Sequence, residues 1–104
     1  MDNYNECDDG FSGYELMCAL QSAVKDAITD IAERHGCTVS DETAGSGSYY
    51  ISIDRDDADG EVDVSLKIRV SDHAARYGCN WSFEPTDSDK SIANGLATIE
   101  RKCQ

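Results

Sequence analysis

The sequence predicts an α+β fold: an antiparallel β-meander of three to four strands, flanked in sequence by two helices that cover one face (α-β-β-β-β-α). Three observations carry this expectation. Apolar residues recur at three- and four-residue intervals over residues 13–35 and again over about 86–102. Between these stretches they alternate with polar residues, the two-residue period of a half-buried strand. An Asp59-Gly60 dipeptide separates the two strongest alternating segments, the pattern of a hairpin. Short connections favour antiparallel neighbours.

Residues 1–11 are polar and acidic and read as a loosely held arm, leaving residues 12–104 as one domain. Ser12 and Glu15 fit a capping box opening the first helix. Its apolar stripe is Leu16, Met17, Leu20, Val24, Ala27, Ile28 and Ile31, and Gly36 suits the position just past its end. Residues 37–41 alternate briefly as a short first strand. A two-residue turn at Asp59-Gly60 would then set Tyr49 opposite Val70, Ile51 opposite Ile68 and Ile53 opposite Leu66, with all six on one face. Cys79, Trp81 and Phe83 alternate as a last strand ended by Pro85. Thr86 or Asp87 is expected to cap the second helix, whose stripe is Ile92, Leu96 and Ile99. Gly95 within that stripe costs about 1 kcal/mol relative to alanine, which is tolerable if it permits close packing.

The same turn places Tyr50 opposite Arg69, Ser52 opposite Lys67, Asp54 opposite Ser65 and Asp56 opposite Asp63 on the outer face. That face is then basic and aromatic at one end and acidic at the tip, where Asp54, Asp56, Asp57, Asp59, Glu61 and Asp63 form the expected partner-binding group. Like charges opposed across a strand pair are unfavourable, so a basic partner gains from meeting them. The net charge of −12 reinforces this. Residues 1–72 hold 17 acidic and five basic side chains, whereas residues 73–104 hold four of each. Direct binding to nucleic acid or to an anionic membrane is disfavoured, and a basic protein surface is favoured.

Other chemistries find little support. From Asp54, an EF-hand reading puts Ala58 at the fifth position, Asp59 at the sixth and Ser65 at the twelfth, where calcium needs a ligand, a glycine and a glutamate. His35, Cys37, His73 and Cys79 lack the short spacing of a zinc knuckle. Ser71, Asp72 and His73 are consecutive, which points their side chains apart and makes no catalytic triad. Five cysteines at irregular spacing read as reduced thiols. With an acidic N-terminus and no apolar span, the expected compartment is the cytoplasm. No enzyme activity, cofactor or metal is expected.

The acidic hairpin DRDDADGEVD at 54–63, the helix-plus-meander outline, the small size and the segment Ile68-Arg69-Val70-Ser71-Asp72-His73 together resemble the small acidic proteins that phages and other mobile elements encode to disable host defences, the anti-CRISPR proteins among them. The resemblance implies a phage-encoded protein in the host cytoplasm that blocks a nuclease or nucleic-acid-binding defence protein by offering carboxylates where phosphates would bind. It assigns no role to any single residue. Two other readings stay open: an immunity protein or antitoxin against a basic toxin, and a small nucleotide- or metal-binding module using Tyr50, Lys67 and Arg69.

Overall fold

The computed structural model describes residues 13–43, 48–71 and 78–104. Its elements run α1 (Gly13–Arg34), β1 (Thr38–Thr43), β2 (Tyr49–Asp56), β3 (Val62–Val70), β4 (Trp81–Phe83) and α2 (Asp89–Cys103). This is the expected α+β order, with the four strands in sequence order in one sheet. The arm, the capping box at Ser12, and Asp72 and His73 lie outside the described residues.

Helix α1 ends as its sequence foretells. Gly36 takes φ +70°, where a side chain would be strained, and Cys37 N–H donates back to the Ala32 carbonyl (2.8 Å). Val24, Ile28, Ile31 and Ala32 are buried and Met17 and Leu20 pack against them, whereas Leu16 is 43% exposed. Helix α2 is capped one residue past Asp87 and two past Thr86. Ser88 is the N-cap, accepting from Ser91 N–H at 3.1 Å. The Asp87 carboxylate is used instead in the preceding turn, where it accepts from Glu84 N–H (3.0 Å).

Strands β2 and β3 hold the expected antiparallel register from Tyr49↔Val70 through Arg55↔Val64. Their inner residues Tyr49, Ile51, Ile53, Leu66, Ile68 and Val70 meet the helices, joined by Val64, Phe83, Ile99 and Cys103. The last strand corrects the expected meander, because β4 pairs with β3 in parallel, Ile68↔Trp81 to Val70↔Phe83. Residues 71–80 separate the two strands, far more than the two-residue hairpin that joins antiparallel neighbours. The junction is tied by Asn80, whose N–H donates to the Lys67 carbonyl and whose Oδ1 accepts from Lys67 N–H, both at 2.8 Å. Trp81 and Phe83 thus reach the core face, where Gly95 of α2 sits against them.

Candidate partner-binding surface

The hairpin tip differs from the two-residue turn expected at Asp59-Gly60. Five residues, 57–61, connect β2 to β3. Gly60 N–H donates to the Asp57 carbonyl (3.1 Å), and Gly60 then takes φ +81°, so the turn is longer and still needs its glycine. Asp57 closes the loop. Its Oδ1 accepts from Asp59 N–H (2.9 Å) and Glu61 N–H (3.0 Å), while its own N–H donates to the Glu61 carbonyl (2.8 Å). An aspartate that satisfies its own loop in this way competes with a tight turn.

The ladder absorbs the change in a bulge. Asp56 pairs with Val62, and Asp63 is passed over between Val62 and Val64. The expected opposition of Asp56 and Asp63 is therefore absent. Asp63 instead receives Arg55, with Nε at 2.8 Å and a terminal nitrogen at 2.7 Å from Oδ2. Of the six expected site residues, Asp63 is neutralised and Asp57 is turned to the loop's backbone. Asp54, Asp56, Asp59 and Glu61 are exposed with no cation partner among the described residues. Val62, 71% exposed, stands between Glu61 and Asp63.

Arg55 is the residue whose role the sequence conceals. It points to the core side of β2, where it donates to the carbonyls of His35 (2.6 Å) just past α1 and Cys103 (2.8 Å) at the end of α2. One guanidinium thus serves the carbonyl ends of both helices, a favourable place for a cation. It joins the acidic tip to the body of the domain. The only sequence signal was a single arginine set inside an aspartate run.

Beside it, Glu100 accepts from Arg34 (2.8 Å) and lies 3.0 Å from His35 Nε2, and Arg34 also pairs with Asp30. Arg34, and then His35, hold the Glu100 carboxyl below the usual carboxylate range. At the sheet's other end the Tyr49 hydroxyl donates to Asp41 (2.7 Å), and Lys25 pairs with the same carboxylate (3.2 Å). The Tyr49 hydroxyl, followed by Lys25, lowers the Asp41 pKa, while burial and then Asp41 raise that of Tyr49 well above an ordinary tyrosine.

The outer face is not uniformly open. Lys67 Nζ lies over the Tyr50 ring, 5.0 Å from its centroid. Arg69 is only 3% exposed and donates to Ser48 Oγ (3.0 Å), and Ser48 in turn bonds Ser71 Oγ (3.4 Å). The basic and aromatic end of the outer face is thus an enclosed polar corner together with a lysine laid on a tyrosine. Among the described residues no cluster of three or more His, Cys, Asp or Glu is arranged to hold a metal, and no helix is long and apolar enough to cross a membrane. No protein-family model, curated protein or solved structure matches the chain.

Proposed function

We propose that the protein is a non-enzymatic inhibitor, a phage-encoded anti-defence protein of the anti-CRISPR kind. In this reading it acts in the host cytoplasm and docks its hairpin tip onto the basic nucleic-acid-binding groove of a nuclease or defence complex. The observation that carries the reading is the set of four carboxylates, Asp54, Asp56, Asp59 and Glu61, with no cation partner among the described residues, around a loop held by four hydrogen bonds. A pre-ordered loop loses little conformational freedom on binding, so more of the charge attraction appears as affinity.

The test is inhibition of a panel of RNA-guided nucleases, read by cleavage of labelled DNA, with wild type and the double variant Asp56→Lys/Asp59→Lys. Both positions are exposed and outside the Arg55 ion pair, so the variant keeps its fold. Wild-type association slows steeply with salt, and the variant loses inhibition. Undiminished inhibition by the folded double variant refutes the proposal.

A further inference from the structure

Strand β1 ends the strand order, and among the described residues nothing pairs with its outer side. Alternate residues of an antiparallel edge strand direct N–H and C=O away from their partner, a ready template for another chain. Edges are commonly blunted by charged side chains (lysine above all), inward-pointing charges, proline, bulges or shortness. β1, with sequence TVSDET, has no lysine, proline or bulge, and its one inward-pointing charge, Asp41, is already satisfied by Tyr49 and Lys25. It runs six residues in unbroken register with β2, from Thr38↔Asp54 to Thr43↔Tyr49, and five of its side chains are exposed.

Its chemistry selects the occupant. β1 carries two carboxylates and no cation. Asp41 is held on the core side by Tyr49 and Lys25, leaving Glu42 on the outer face. Where β1 begins, Gly36, Thr38, Asp54, Arg55 and Asp56 line an open depression of about 210 Å³. Neither Asp54 nor Asp56 there has a cation partner among the described residues. A second copy of β1 would bring a second Glu42 and no cation into the seam, an unfavourable pairing.

We propose that β1 is a docking edge for an extended, lysine- or arginine-rich segment of a partner protein, which adds a strand beside β1. One cationic side chain of that segment enters the depression between Asp54 and Asp56. Main-chain hydrogen bonds supply affinity and the alternating side chains supply selectivity. The inference rests on the reading of a basic protein partner and names the form that the partner takes at this edge.

The probe is a short peptide alternating Lys with Val and Thr, long enough to lie along all of β1. Its control is the same peptide N-methylated along the backbone, which keeps the charge and removes the donors. Amide exchange and NMR shifts are read residue by residue. With the parent peptide at saturation, the outward amides of β1 exchange about tenfold more slowly or less. The methylated peptide leaves them unchanged, and Glu42→Lys weakens binding. If both peptides bind alike and shift only residues 54–61, the edge proposal is refuted while the charged tip stands. If neither binds, the edge proposal fails, and the nuclease assay with Asp56→Lys/Asp59→Lys decides the tip separately. Protection of β1 that appears without peptide and grows with protein concentration assigns the edge to a second copy and overturns the proposal.

Discussion

Replacing Gly95 with alanine tests how closely α2 approaches the sheet. A Cβ built there falls 2.7 Å from Phe83 Cε1 and 2.8 Å from Trp81 Cε2, and closer still to Trp81 Nε1. Phe83 is fully buried, so the strain passes to the helix, which must lift from the sheet and loosen Ile99. Overpacking of this kind costs about 3 kcal/mol at the upper end of its usual range. Alanine returns about 1 kcal/mol through its better helix propensity. The net loss is about 2 kcal/mol, and at roughly 4–8 °C per kcal/mol the melting temperature falls by about 8–16 °C. Calorimetry or thermal circular dichroism measures it. Asn94→Ala on the exposed side of the same helix is the control, and there the propensity gain raises stability slightly. Trp81→Leu should relieve part of the clash, so the two substitutions combine non-additively. A Gly95→Ala protein that melts at or above the wild-type temperature refutes the close approach.

Titration offers a second set of tests. Because folding raises the Tyr49 pKa, its contribution is complete below pH 10, where an unfolded tyrosine ionises, and is lost as pH rises toward the folded value. Tyr49→Phe should flatten this alkaline fall in melting temperature. Glu100 works the other way: its lowered pKa gives stability that is complete above the ordinary carboxylate range and disappears as pH falls through the folded value. Glu100→Gln should therefore shrink the acid limb. Burial, and then Cys37, push the Cys103 thiol up to about 11, so in the native protein a thiolate-selective reagent should modify the half-buried Cys18 and Cys79 well before Cys103, as mass spectrometry of timed samples would show. Arg55→Met should lower the melting temperature by more than Asp63→Asn, because it strips a cation from two helix ends as well as from one carboxylate. Equal losses would show that the helix-end contacts contribute nothing.

The sequence by itself determined the local elements, because each rests on periodicity or on a residue with few alternatives. The α1 stripe, Gly36 past its end and the alternation through Tyr49–Ile53 and Leu66–Val70 fix element type and hairpin register, since a one-residue slip would turn the apolar set to solvent. It also located the exposed carboxylates at the tip and left Gly95 as a close approach awaiting a partner. Tertiary structure decided the rest. The Asp57 carboxylate closes a longer turn, which displaces Asp63 from the ladder and gives it to Arg55. The direction of β4 is set by its parallel pairing with β3, and the alternation of Trp81 and Phe83 is the same for either direction. Arg55 reads as one charge in an acidic run, and only when both helix ends converge beside β2 does it become the cation they share. Local periodicity specifies which face a residue takes, but the identity of its neighbour across the fold is set by long-range packing, and that is what separates Asp57 and Asp63, already engaged, from the four tip carboxylates that have no cation partner among the described residues.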